Sequence, residues 1–411
     1  MRAFLFSNSL DALAGSIAAF TLSLYLVSAS AISPVELAIL NAAPVSVVVL
    51  LSTACAQFVD RVGARRLLPG VLVMKTALLL CLVLLVAAGL MGPWAAIVIS
   101  TVLALAGIGS DQCQLSLSRD FPDNQLSTLV SRLSAADKMA SIIAPSVVGF
   151  LVLHARTEFA FGLAFALSAA SVFAFYHFRR TSPVSAACED STPEPSFWAG
   201  FQVIRRDRVL AATIGLACAG NFGLALGDVV MPFLLLQDLG LHAHHYGMLA
   251  SAGGAAALAA AFVAPRIIDH WDTRRIVVVT SVVAFLLSTL PVCAWFFGYL
   301  APAIVMDIGW AMVMTVQNIA VSTFISTRVA KDVIARVFAA YGTIGMGLVP
   351  VFVLLGGGLA QASSIGVPLA LWPVLTAIAL LIFLPPLLRT ADGGGGVDTH
   401  KKAPTVADGE G

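Results

Sequence analysis

Charge is what this sequence has least of. Only 11% of its 411 residues are Asp, Glu, Lys or Arg, where an ordinary globular chain carries about a quarter. Hydrophobic residues make up 59%, more apolar surface than a water-facing fold can cover. The formal net charge of +1 supplies no basic field for nucleic acid and no acidic solvating arm. The six cysteines (Cys55, Cys81, Cys113, Cys188, Cys218 and Cys293) show no CxxC spacing, which argues against a zinc site or a disulfide framework. No Gly-x-x-x-x-Gly-Lys-Ser/Thr loop is present, so the chain carries no phosphate-cradling ATPase engine of that kind. These absences exclude a soluble enzyme, and no cofactor is expected.

What is there is a series of apolar runs of about 20 residues, each long enough to cross a hydrocarbon core about 30 Å thick as a helix. Twelve spans are expected, over 6–29, 34–59, 66–91, 93–117, 134–154, 157–178, 210–236, 246–268, 274–297, 300–326, 336–361 and 367–388. The fold class is therefore an all-α membrane protein. Its expected domains are a six-helix bundle over 1–178, a cytoplasmic linker over 179–207, a second six-helix bundle over 208–389 and a disordered tail over 390–411. The first span, which follows the single Arg2, reads as retained rather than as a cleaved signal. With a cytoplasmic N-terminus, Arg61, Arg65, Arg66, Arg119, Arg132, Arg179, Arg180, Arg205, Arg206, Arg208, Arg274, Arg275, Arg328, Lys331 and Arg336 all fall on the inner side, and only Arg156 lands outside. That one-sidedness puts both termini in the cytoplasm. In the linker, Phe197, Trp198, Phe201 and Ile204 recur at helical spacing beside Arg205, Arg206 and Arg208, which fits a helix lying on the inner membrane surface or an ordinary connector.

The two halves echo each other. Asp60 is followed five and six positions later by Arg65 and Arg66, and Asp269 by Arg274 and Arg275, each pair of spans being joined at the same place in its half. The same register sets Leu40 and Ala43 opposite Leu249 and Ala252, a parallel-repeat signature. On these residues the sequence resembles the major facilitator superfamily. Asp60, Arg61, Gly63 and Arg65 match its Gly-x-Leu-Ala-Asp-Arg-x-Gly-Arg-Lys signature loop, with Ala56 in place of the leading glycine and Ala64 in place of a basic residue. The resemblance implies gating loops at Asp60, Arg61, Gly63 and Arg65 and at Asp269 and Arg274. In span 5, Ala144, Pro145 and Gly149 look like the exporters' Gly-Pro-x-x-Gly-Gly motif, which implies antiport; a packing kink is the plain alternative. Similarity to drug/proton antiporters of the macrolide-exporter type extends over Ser33-Pro34, Pro44, Tyr246-Gly247, Arg336 to Tyr341 and Gly356 to Gly358. The basic residue many proton antiporters carry in span 4 is absent, replaced by Asp111, Gln112 and Gln114.

A charge inside the bilayer costs a few kcal/mol or more, so each intramembrane acid is a candidate site residue. Asp11, Asp111, Asp137, Asp228 and Asp307 qualify, with Lys75 as the basic counterpart. The resemblance implies that spans 1, 4, 7 and 10, which carry four of these acids, line the central cavity. Asp228 stands out between Gly227 and Pro232. For Asp11 and Asp111, nearer the inner face, hydration or pairing with a base is the alternative to a role in transport. Gln317 and Asn318 in span 10 suit either cargo binding or helix cross-linking.

The leading expectation is a monomeric plasma-membrane transporter that exports a small amphipathic organic compound, with the proton as counter-ion and the lipid bilayer as its surroundings. The alternative is a ferroportin-like exporter of divalent metal: Arg119-Asp120, Asp137 before Pro145, and Cys218 resemble that family's pattern, without its histidine in span 11. His242, His244 and His245 lie in an external loop, where a solvated turn is the plainer reading than metal binding.

Overall fold

The computed structural model describes residues 2–29, 32–118, 123–154, 157–181, 198–330 and 333–389. Arg119, Asp120, Arg156, Cys188, Lys331, most of the expected linker (182–197) and the expected tail (390–411) lie outside the described residues. Within them the chain is helical throughout. The first group comprises α1 (Arg2–Ser28), α2 (Pro34–Val62), α3 (Ala64–Ala87), α4 (Pro93–Ser118), α5 (Asp123–His154) and α6 (Thr157–Thr181). A short α7 (Trp198–Arg206) leads into α8 (Arg208–Asp228), a π-helical turn (Phe233–Asp238), α9 (Ala243–His270), α10 (Thr273–Phe297), α11 (Leu300–Arg328), α12 (Ile334–Gly347), α13 (Val349–Ala362) and α14 (Gly366–Arg389).

Among the described residues, eleven helical stretches are long and apolar enough to cross a membrane, and Met139–Val152 inside α5 adds a shorter apolar one. Their outward faces carry large apolar side chains such as Leu50, Leu84, Phe173, Phe262 and Leu381, which lipid rather than water solvates. Local chemistry sets the helix ends. Ser33 and Glu36 form a reciprocal capping box ahead of Pro34, with Ser33 N donating to Glu36 Oε2 at 2.8 Å, so α2 starts sharply. Asp207 caps α8 by accepting from Val209 N and Leu210 N, and Asp272 caps α10 by accepting from Arg274 N. Between α2 and α3, Gly63 sits at φ +90°, a conformation open to glycine and costly to other residues.

Two expected spans are interrupted. Span 7 stops being α-helical at Asp228 and resumes as a π-helical turn, and span 11 divides at Leu348 into α12 and α13. Pro232 and Pro350 contribute to both. Each lacks an amide hydrogen and crowds the carbonyl four residues back, at Asp228 and Met346, and glycines 227 and 347 weaken the helix nearby. At its N-terminus α5 begins at Asp123 rather than 134. Of the two readings of the amphipathic segment, the connector describes α7 better. Ile204 is buried and Phe201 half-buried in a core shared with α8 and α12, and a Cβ on Gly200 would lie 2.2 Å from the Arg336 carbonyl oxygen.

Helices α1 to α6 pack on one another, as do α8 to α14, and the two groups meet where α5 lies on α9, α2 on α13, and α1 on the π-helical turn. These meetings lie toward the end at which α1 finishes and α2 begins, here termed the seam. A Cβ on Gly247 would stand 2.8 Å from both Gly149 Cα and Pro145 O, and one on Gly357 would stand 2.3 Å from Ala38 Cβ. Gln237 Nε2 donates to Val27 O at 3.2 Å across the same seam.

Candidate functional site

Helical spacing places Asn8, Asp11 and Gly15 on one stripe of α1. Against it α3 brings Lys75, α4 brings Gly107, Ser110 and Asp111, and α5 brings Asp137. Lys75 Nζ meets Asp11 Oδ2 at 2.6 Å, with Asp11 only 4% and Lys75 only 8% exposed. Ser110 Oγ donates to the same Oδ2 at 3.2 Å, and Gln114 Nε2 donates to Ser110 Oγ at 3.1 Å. A buried pair of this kind offsets its own desolvation only while both partners remain. Asp11 Oδ1 and Asn8 Nδ2 are buried with no hydrogen-bond partner among the described residues.

The pair stands at the junction of two cavities. One, of about 340 Å³, is polar and is lined by Asn8, Asp11, Ser16, Lys75, Asp111 and Asp137. The other, of about 350 Å³, extends from Asp11, Gly15, Lys75 and Gly107 into an apolar pouch that includes Leu22, Leu40, Leu79, Leu82 and Leu103. Asp111 and Asp137 are exposed, Asp111 within the membrane-crossing stretch Pro93–Ser118 and Asp137 two residues before the apolar stretch Met139–Val152 of α5. Asp111 lies within electrostatic reach of Lys75, Asp137 and Asp11.

Asp228 and Asp307 form a separate pair, close enough to act on each other and on Tyr246. Asp228 ends α8, where Trp372 packs over Gly227: a Cβ there would lie 2.2 Å from Trp372 Cε3. Gly253 of α9 leaves room for the Asp307 carboxylate, whose Oδ2 would be 2.9 Å from an added Cβ. The Tyr246 ring stacks on Phe20 of α1 at 5.8 Å, with 11° between the planes, so the acid pair borders an aromatic contact between the two helix groups.

Other expected residues are dispersed. Gln317 is buried and knits α11 to α10, its Nε2 donating to Ser281 Oγ at 2.9 Å. Asp60 and Arg61 occupy the exposed last turn of α2 and Arg65 the first turn of α3, while Asp269 and Arg274 hold the same places on α9 and α10. Ala144, Pro145 and Gly149 are buried, and at Gly149 α5 touches α9. Cys218 is buried in α8. The His242, His244 and His245 rings contact one another, and among the described residues no three His, Cys, Asp or Glu side chains converge to hold a metal ion.

Sequence reasoning missed Asn8, Ser110 and the Phe20 partner of Tyr246. It also missed the pairing of Asp207 with Arg328, the latter lying over the Phe324 ring at 5.5 Å. Partial burial acts to raise the Asp207 carboxyl, but the Arg328 hydrogen bond and charge, with the Leu210 and Val209 amides, outweigh it and hold the group below its ordinary value.

Comparison with known proteins gives a consistent picture. A family model described as Major Facilitator Superfamily matches residues 4–353. No curated protein sequence matches the chain. Among solved structures, a point mutant of the nucleoside transporter NupG superposes with a TM-score of 0.72 at 13% identity, covering 93% of this chain and 98% of that one. A bacterial homologue of the human lysosomal transporter Spinster, inward-facing and unoccupied, gives 0.67 at 12% identity, covering 95% and 96%.

Proposed function

This chain belongs to the Major Facilitator Superfamily, and on that basis we propose that it exports a small organic compound in exchange for protons. It is a membrane transporter rather than an enzyme. The observation that carries the proposal is the Asp11–Lys75 pair at the floor of two joined cavities, with Asp111 exposed beside it. A carboxylate that alternates between an ammonium partner and a proton is a natural coupling element, because each state lowers the cost of burying it.

In this reading the halves 1–178 and 208–389 rock about the cavity, joined through 179–207. Both termini are cytoplasmic, the protein sits in the plasma membrane as a monomer, and the seam lies on the external side. The closed seam and the exposed acids then correspond to a cavity facing the cytoplasm, ready to load cargo. The partial exporter motif supports the direction of transport, since its Gly149 is where α5 reaches α9 at the seam. Divalent-metal export fits less well, because metal cargo calls for several converging ligands and the described residues bring no such group together.

The test is loss of a panel of fluorescent organic compounds from vesicles with an imposed pH gradient, run beside labelled iron, cobalt and nickel. Gradient-dependent movement of an organic compound, abolished by collapsing the gradient, is expected. Movement of metal alone overturns the proposal.

A further inference from the structure

The polar lobe has more acid than base and two unused hydrogen-bonding atoms of opposite kind. Asp11 and Asp111 face one ammonium, Lys75, so these three groups leave one uncompensated negative charge before Asp137 is considered. Asp11 Oδ1 needs a donor and Asn8 Nδ2 needs an acceptor, and both residues are more than nine-tenths buried on the wall of this lobe. A buried polar atom left without a partner is costly, so the lobe is incomplete until something fills it. Water satisfies hydrogen bonds but brings no charge.

The adjoining lobe is of comparable size and mostly apolar, with Ala18, Leu22, Leu40, Leu79 and Leu103 on its wall and Asn41 as its largest polar side chain beyond the ion pair. The two lobes share Asp11, Gly15, Lys75 and Gly107. One molecule can therefore lie across the junction, with a head on one side of the ion pair and an apolar body on the other.

We propose that these lobes form a binding site for an amphipathic organic ammonium compound that carries an oxygen acceptor close to its charged nitrogen. The ammonium donates to Asp11 Oδ1 beside Asp111, the oxygen accepts from Asn8 Nδ2, and the apolar body fills the pouch toward Leu22 and Leu82. The proposal deepens the export reading by naming the cargo's chemistry, and it rests on that reading only for the transport step, not for binding.

The test is equilibrium binding to the full chain in lipid nanodiscs, followed by naphthyl fluorescence. The probes are a naphthyloxy-propanolamine with a primary amine, the corresponding diol and the corresponding carboxylate. The amine should bind at least about tenfold more tightly than the diol, with the carboxylate weakest. Asp111→Asn, at an exposed position that leaves the buried pair intact, should weaken the amine about tenfold and leave the diol unchanged. Asn8→Ala should weaken amine and diol alike, since both retain the hydroxyl. Ala19→Trp should fill the pouch and weaken all three. Equal binding of amine and diol, or indifference of the amine to Asp111→Asn, overturns the site. So does displacement of the amine by cobalt, which would give the lobe to a metal. Binding without gradient-driven flux of the amine would overturn export and leave the site standing, whereas flux of other compounds with no preference for the amine would do the reverse.

Discussion

Replacing Gly247 by alanine tests how the seam is held shut. The new Cβ would lie 2.8 Å from Gly149 Cα and Pro145 O, whereas carbon atoms in ordinary contact are about 3.5–4.0 Å apart. Both obstacles are backbone atoms, so no side chain can swing aside, and α5 and α9 must separate by about 1 Å. Overpacking of this kind costs about 1–3 kcal/mol. Alanine's gain in helix propensity is the same whether the seam is open or closed, so it cancels from the balance between the two. A penalty confined to the closed state shifts that balance about 5- to 150-fold toward opening. In a cysteine-free background, spin labels at Ala88→Cys and Ser363→Cys report the distance across the seam by pulsed electron resonance. Gly247→Ala should move the distribution to longer distances. Gly162→Ala, where nothing lies within 4 Å of the added Cβ, should not. An unchanged distribution in Gly247→Ala would refute the idea that close backbone packing at this glycine holds the two groups together.

The same geometry sets three further outcomes. Asp11→Asn should lower stability by about 3–5 kcal/mol, read from unfolding in detergent, because Lys75 is left buried without its partner; adding Lys75→Met should restore most of that stability but not transport. Asp207, held below its ordinary 3.8 by Arg328 and two backbone amides, contributes stability that is fully present above the unfolded-state value and is lost as pH falls through the folded-state one. Melting curves of Asp207→Asn should therefore lie below wild type at neutral pH and converge with it below about pH 4; a constant offset would show that the ion pair is not responsible. Asp228→Asn should slow export, because it removes one acid of the pair formed with Asp307, and unchanged flux would remove Asp228 from the mechanism.

The helical architecture was readable from sequence because a bilayer leaves few alternatives: about 20 apolar residues must form a helix that satisfies its own backbone. The paired loops at Asp60 and Asp269 were readable for a similar reason, being polar islands between apolar runs. The breaks at Asp228 and Leu348 were not. Pro232 and Pro350 mark them, yet Pro44, Pro145 and Pro291 sit inside unbroken helices, so proline alone does not decide where a span divides. The acids of the site stood out because charge in lipid is costly, and Lys75 was recognised as a counterpart. That Lys75 chooses Asp11, 64 residues away, depends on how α1 and α3 pack, which one chain's periodicity does not encode. Asn8 and Ser110 carry no charge and resemble many small polar residues of membrane helices, so nothing local distinguished them. Gln317 was open to two roles by chemistry, and its contact with Ser281 favours the structural one.

Transport in this reading requires that one cavity, floored by Asp11 and Lys75, open to one side of the membrane at a time. Ser16 lines its polar lobe, so reaction of Ser16→Cys with a membrane-impermeant thiol reagent, applied separately to each face of sealed, oriented vesicles, measures this directly. Labelling is expected from the cytoplasmic face at rest, and labelling from the external face should appear when Gly247→Ala is added. Equal labelling from both faces in the protein without the Gly247 substitution, or protection from both in either variant, would contradict alternating access at this cavity.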